Sequence, residues 1–225
     1  MAMEYNDVIH PDGIVFCNGA GIMINDRMVD SVPMDPDTVA ALRKLCFHMQ
    51  GGLQLLNESY SFQNLLNGVL IRLVFPRKKK SLSAQQRKCR NSMVWMNHYH
   101  GQKILKADVF FFTKKQADRF YEKMPQGLQA FRTRGRHLHQ AEIMVCSVSK
   151  ATGIRRVVEL LGEDMKDTWC FGDSINDVEM MKACGHSIAM GNGGKEVKEA
   201  ADYVTADHNH DGIAEALEYY GWRIR

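Results

Sequence analysis

From residue 149 to residue 220 the sequence alternates helix-patterned and strand-patterned segments. This alternation constrains the chain more than any other feature, because it builds a parallel sheet with helices as crossovers. The spacing predicts a helix over 149–161, with Ile154, Val157, Val158 and Leu161 on one face and Gly162 as its stop. DTWCF (167–171) reads as a short buried strand running into GDSIND, and 178–184 as a second helix ended by Gly185. The strand HSIAM (186–190) follows, then the loop GNGG, a helix over 195–201, the strand DYVTA (202–206) and a last helix over 212–220. In such sheets ligands bind at the strand ends, where the loops converge.

Asp173 and Asp177 stand at one of those ends, four residues apart, with Gly172 permitting the bend and Asn176 between them. Two carboxylates crowded at the end of a buried strand repel each other unless a cation sits between them, and hard oxygen ligands of this kind suit magnesium. The plainer reading has both aspartates capping the following helix. Lys150 weighs against it. A cation at a helix start is disfavoured by up to about 1 kcal/mol, so a lysine placed there either turns its long stem into solvent or has a partner such as a phosphate or a carboxylate.

The first half is less regular. GIVFCNGAGIMI (13–24) reads as two short strands around an Asn-Gly turn. Asp35 and Pro36 open a helix whose apolar face is Val39, Leu42, Leu45 and Cys46. The apolar runs 68–75 and 107–113 suggest strands, and 114–124 a helix ended by Pro125-Gln126-Gly127. Between them lies a basic stretch, residues 77–90, with Lys78 to Lys80 and Arg87 to Arg90. It reads either as a solvated loop or as an attractor of phosphorylated sugars or nucleotides.

Composition narrows the function classes. With 45% apolar and 24% charged residues and a mean hydropathy of -0.32, the chain has the make-up of a globular protein. No run approaches the roughly 20 apolar residues of a membrane span. A net charge of +3 is too small a surplus to argue for a nucleic-acid partner by itself, and the aromatic residues Trp95, Tyr99 and Phe110 to Phe112 do not alternate with the basic ones as a base-stacking platform requires. Six dispersed cysteines without a C-x-x-C pair, and a start without a basic-then-apolar signal, fit reduced thiols in the cytoplasm. The pairs His98/His100, His137/His139 and His208/His210 have no third ligand at a useful spacing and read as loop and surface histidines.

VSKATGIRRVVELLG (148–162), with the sequence from DTWCFGDSIND to the end of EALEYYG (167–221), resembles the C-terminal half of haloacid dehalogenase (HAD) superfamily phosphatases of the Cof-type, subclass IIB, sugar-phosphatase-like branch. GIVFCNGAGIMI resembles the Asn-Gly-Ala stretch after the third core strand of that branch, and residues 107–131 resemble the later part of its cap domain. The resemblance implies an α/β fold: a Rossmann-like core over 1–32 and 142–225, with an inserted α+β cap over 33–141. It implies a phosphate monoester hydrolase using Mg²⁺ on a small phosphorylated metabolite, through an aspartyl-phosphate. In it Lys150 stabilises the nucleophile and the transferring phosphoryl group, Asn176 organises the phosphate site, Asp173 binds the metal and Asp177 supports the metal shell.

The departure from the family pattern is at the other end. The D-x-D-G-T strand that carries nucleophile and general acid/base, and the strand ending in Ser/Thr-Gly-Arg, belong upstream of the Asn-Gly-Ala stretch, and neither motif occurs in these 225 residues. The expectation is a truncated chain with an incomplete core sheet, whose open edge invites self-association. The alternative function is a non-catalytic phosphate- or protein-binding module. Two substitutes for the nucleophile present themselves. Asp7 to Gly13 contains Asp12-Gly13 but no D-x-D, and Asp35-Pro36-Asp37-Thr38 has D-x-D order yet sits where a helix begins, so capping is expected of it.

Overall fold

A computed structural model of the chain describes residues 11–25, 27–74, 92–134 and 138–222. It contains two compact units, Met1–Cys146 and Ser147–Arg225. The basic stretch 77–90 and the segment 7–10 lie outside the described residues.

The first unit opens with an antiparallel meander, β1 (Gly13–Phe16), β2 (Gly21–Ile24) and β3 (Arg27–Ser31). The expected Asn-Gly turn joins the first two strands: Cys17, Asn18 and Gly19 take φ values of 50°, 54° and 103°. Asparagine and glycine tolerate this left-handed region best, which is why they sit there. Helix α1 (Pro36–His48) begins as its sequence dictates, with Asp35 accepting a 3.0 Å hydrogen bond from the Thr38 amide and Pro36 in the first turn. Asp35 is therefore committed to capping.

A six-stranded sheet in the order β6-β5-β4-β7-β9-β8 forms the rest of the unit. Its strands are β4 (Gly52–Leu56), β5 (Ser61–Gln63), β6 (Met93–Trp95), β7 (Lys106–Phe111), β8 (Leu128–Arg134) and β9 (His139–Val145). Along β7 burial alternates, so Ala107, Val109 and Phe111 enter the core while Lys106 and Asp108 face the other way. Val39, Leu42 and Cys46 of α1, with Ala117 and Phe120 of α3 (Lys114–Glu122), join that same core cluster. Burying each such large apolar side chain contributes about 1.5–3 kcal/mol. On the opposite face Lys106 Nζ lies 2.9 Å from Glu142 Oε1 and 3.3 Å from Asp108 Oδ1. Asn18 Nδ2 donates to the second Glu142 oxygen at 2.6 Å, tying the β1–β2 turn to β9.

One strand expectation is corrected. The apolar run at 68–75 is not extended: residues Leu65–Val74 form a helix, α2. Asn64 starts it, its Oδ1 accepting from the Asn67 amide at 2.9 Å while its own amide donates to Leu53 O. A short run apolar on all sides has no period that separates strand from helix, and the cap decides. Gly68 belongs in this helix because a Cβ there would come within 2.5 Å of the Trp95 ring.

The second unit follows the alternation expected of it: α4 (Lys150–Leu161), β10 (Trp169–Gly172), α5 (Val178–Ala183), β11 (His186–Ala189), α6 (Lys195–Ala200), β12 (Tyr203–Val204) and α7 (Gly212–Tyr219). The three strands are parallel in the order β10-β11-β12, with Trp169 opposite His186 and Gly172 opposite Ala189. Ser149 and Thr152 cap α4 reciprocally, and Gly162, at φ 72°, ends it. Cys170, Met180, Met181, Ala189 and Val197 form the core, with Ile154 and Val178 packed against it. Among the described residues no strand pairs with the second edge of β10.

Candidate functional site

The site is built where β10 ends. Lys150 is the first residue of α4, and its side chain, one-third exposed, forms an ion pair with Asp177 Oδ1. Asp177 is 2% exposed, and its other oxygen accepts the amides of Asp173 at 3.1 Å and Ser174 at 2.9 Å. A buried carboxylate is tolerated because both oxygens are met by donors, one of them charged. The cation placed against the helix dipole thus has its partner, and that partner also fixes the turn leaving the strand.

Gly172 makes this approach possible, though by another route than a bend. Its backbone does not enter the left-handed region. A Cβ at this position would instead sit 2.6 Å from both Asp177 Cβ and Met181 Cε, so only glycine leaves room for the buried aspartate.

Asp173 is exposed and held from two sides. Its Oδ1 accepts from the Ser174 hydroxyl at 3.0 Å and its Oδ2 from Asn192 Nδ2 at 2.9 Å. Asn192 accepts in turn from the His208 amide at 3.3 Å, and Gly194 N approaches Asp173 O at 3.4 Å. The GNGG loop after β11 therefore cradles Asp173, and Asn192 is a site residue the motif reading did not single out. Its signal was available, since a glycine-rich loop directly after a strand of the same parallel sheet belongs at the same edge. Asn176 follows Ile175 in a single 3-10 turn, half-buried, with a buried Oδ1 that has no partner among the described residues.

Lys150, Asp173 and Asp177 are thus linked directly or through one backbone amide, with Asn176 in the same turn. The other candidates stand elsewhere. Asp35 caps α1, and Asp12 is exposed beside β1, its carbonyl accepting from the Asn25 amide. His210 Nδ1 lies 2.8 Å from Asp207 Oδ1, His137 lies outside the described residues, and His98, His100, His139 and His208 join no larger ligand group among the described residues. Among the described residues no group of three or more His, Cys, Asp or Glu is placed to hold a metal ion.

The donor set still fits a magnesium ion held mostly by water and substrate oxygens. Asp173 offers an exposed carboxylate for direct contact. Asp177, with Lys150 on one oxygen and two amides on the other, fits a supporting role better than a bridging one. The unpartnered Asn176 oxygen is suited to accept a hydrogen bond from a water or from a phosphate hydroxyl.

A family model for haloacid dehalogenase-like hydrolases matches residues 2–217. YkrA of Bacillus subtilis (strain 168) is 35% identical over 123 residues, which cover 55% of this chain and 46% of YkrA. The phosphoglycolate phosphatase of Methanosarcina acetivorans is 31% identical over 147 residues, covering 60% of this chain and 62% of that protein. The matches thus span about half to three-fifths of these curated relatives. The solved structure of the HAD subclass IIB sugar phosphatase BT4131 superposes with a TM-score of 0.76 at 21% identity, covering 98% of this chain and 80% of that one. The α/β fold, with its Rossmann-like and cap portions, is the one these structures share.

Proposed function

The chain belongs to the haloacid dehalogenase-like hydrolases, and from that premise we propose that the cluster at the end of β10 handles the phosphoryl group in Mg²⁺-dependent hydrolysis of a small phosphate monoester. The observation that carries this reading is the Lys150–Asp177 ion pair, whose carboxylate also accepts the Asp173 amide, so that an ammonium and the segment carrying Asp173 are joined through one buried side chain at the end of a parallel strand. A dianionic phosphate needs both kinds of partner: a cation of the protein and a carboxylate through which a metal is held.

Each residue then has one task. Asp177 orients Lys150, whose remaining ammonium protons point to phosphate oxygens and neutralise charge developing on them. Asp173, steadied by Ser174 and Asn192, would hold the metal. Asn176 would accept a hydrogen bond at Oδ1 and so fix the orientation of the bound group. Magnesium, when bound, supplies further charge neutralisation on the transferring phosphoryl. The attacking aspartate and the general acid/base of the family have no counterpart motif in these 225 residues, so the turnover of the whole protein is part of the proposal.

A sugar phosphate or related phosphometabolite as substrate, the cytoplasm as location, and 1–32 with 142–225 as one core domain around a cap over 33–141 complete the reading. Support for the location comes from cysteines that are all free among the described residues. None of the described helices is long and apolar enough to cross a membrane. Self-association belongs to the same proposal and is supported by the unpaired edge of β10.

A non-catalytic phosphate-binding module is the second reading. It is favoured by the commitment of Asp177 to Lys150 and two amides, which leaves Asp173 as the carboxylate of the GDSIND turn that a metal could reach. Phosphorus NMR separates the two. A phosphate monoester that broadens on adding protein and Mg²⁺ yet stays intact over hours supports the binding module, whereas release of inorganic phosphate supports the hydrolase.

A further inference from the structure

The loop Gly191-Asn192-Gly193-Gly194 presents one side chain, Asn192, and spends it on Asp173 and on the His208 amide. Its three glycines carry nothing that could hold the loop itself, and two of them leave no room for residues that would. A Cβ at Gly191 would lie 2.8 Å from Asp207 N, and one at Gly193 2.9 Å from Met190 O. Glycine also loses more conformational freedom on folding than any other residue, so the position of this loop has to be set from outside it.

Lys198, the fourth residue of α6, does this at both ends. Its backbone N–H donates to Gly194 O at 3.2 Å, and its ammonium reaches back to Gly191 O at 2.6 Å. The helix that carries it is anchored, because the adjacent Val197 is buried in the core of this unit. The first lysine of the same helix shows the contrast: Lys195 Nζ stands 3.5 Å from Glu199 Oε1 in an exposed pair, a kind worth little. Lys198 is half-buried, and its charge-assisted bond goes to a main-chain carbonyl one residue before Asn192. The carboxylate one helical turn further on, Asp202, is taken by the Ser187 amide and hydroxyl, both at 2.8 Å.

We propose that Lys198 is a positioning residue for the Asp173 carboxylate. By holding Gly191 O it fixes the loop, the loop keeps Asn192 Nδ2 on Asp173 Oδ2, and the carboxylate keeps one orientation. Lys198 touches neither metal nor phosphate in this role. The inference rests on the reading of Asp173 as the metal's carboxylate and extends it to a residue of another helix. Without the ammonium, Gly191 O is left to water, the loop regains freedom, and Asn192 leaves Asp173 for part of the time. Partners that touch a metal ligand directly change metal affinity by about 10–100-fold on removal. Lys198 acts through the loop and so one step further out, and its loss should weaken Mg²⁺ binding about 2–5-fold.

Lys198→Met keeps the aliphatic stem and removes the charge, and Lys198→Arg restores a cation. Nitrogen NMR of the whole chain reads the Asn192 side-chain amide directly. Without metal, its two Nδ2 protons should be further apart in the unaltered chain than in an exposed asparagine, because one of them is bonded to Asp173. They should close to the exposed value in Lys198→Met and separate again in Lys198→Arg. In a Mg²⁺ titration followed at the amides of 172–177, the half-saturating concentration should rise about 2–5-fold in Lys198→Met and return in Lys198→Arg. A merely structural lysine would lower the urea midpoint and leave both readouts where they were. An Asn192 signal unchanged in Lys198→Met, or an unchanged Mg²⁺ midpoint while that signal moves, overturns the role of Lys198 alone. No response to Mg²⁺ in the unaltered chain overturns the reading of Asp173, and this role with it. Lys198→Gln, whose side-chain amide can still donate to Gly191 O, carries the same comparison should Lys198→Met not fold, with an intermediate effect expected.

Discussion

Lys150 and Asp177 are 27 residues apart and joined by an ion pair, with the Asp177 carboxylate buried and the Lys150 side chain only partly so. The pair connects the start of α4 to the turn after β10. Because Asp177 also satisfies two backbone amides, the position carries structure and electrostatics at once.

Asp177→Ala is therefore expected to destabilise the chain by about 2–4 kcal/mol, since it leaves two amides and a lysine without their acceptor. Asp177→Asn keeps an oxygen for the amides and should cost less, about 1–2 kcal/mol. Urea unfolding of the two variants checks the order. Equal, negligible losses would mean that water replaces the carboxylate at no cost.

Asp173→Asn is expected to abolish Mg²⁺ binding that is millimolar or weaker in the unaltered chain. Asn192→Ala should weaken it severalfold by freeing the Asp173 carboxylate to reorient. Amide chemical-shift titration across residues 172–177 and 191–194 follows both. Tight stoichiometric binding that survives Asp173→Asn would place the metal elsewhere.

Turnover of p-nitrophenyl phosphate and of sugar phosphates by these 225 residues is expected to be at least roughly 1,000-fold below that of the same chain joined to a relative's D-x-D-G-T segment, because removing the nucleophile removes most of the rate enhancement. Robust hydrolysis abolished by Asp35→Asn or Asp12→Asn would show that one of these aspartates attacks phosphorus.

The thiol of Cys46 ties stability to alkaline pH. Burial raises it from 9.0 to about 12. The unfolded chain releases this proton first, so between those values the unfolded state binds fewer protons and stability falls as pH rises, by up to about 1.4 kcal/mol per unit. Cys46→Ser removes the ionisation and should flatten the decline by that amount between pH 9.5 and 11. Parallel curves for the two proteins would show that the thiol is not shielded.

Legibility differed between the two units for physical reasons. In the second, every helix and strand was readable because each is local: a capping residue, a 3.6-residue period, a glycine stop, a short apolar run. Gly162 and Ser149 alone fix the limits of α4. In the first unit β4, β5, β6 and the β8–β9 hairpin had no such local signature. Their pairing joins distant segments, as Gln54 beside Asp108 shows, and partner identity is not written in either strand. The run 68–75 carries no period that separates strand from helix, because Asn64, outside it, sets its conformation. At the site, Lys150, Asp173 and Asp177 were legible from spacing and chemistry, whereas Asn192 reaches Asp173 only through the fold of the next loop.

The bond between Asn18 and Glu142 spans 124 residues. During synthesis at roughly 5–20 residues per second, about 6–25 seconds separate the emergence of its donor from that of its acceptor. Over that interval the β1–β2 turn has no Glu142 to hold it, and any chaperone that shields nascent chains meets this hairpin before its final anchor exists. Translation speed between residues 18 and 142 thus sets how long the opening hairpin waits, a timing imposed by where along the chain the two partners are encoded.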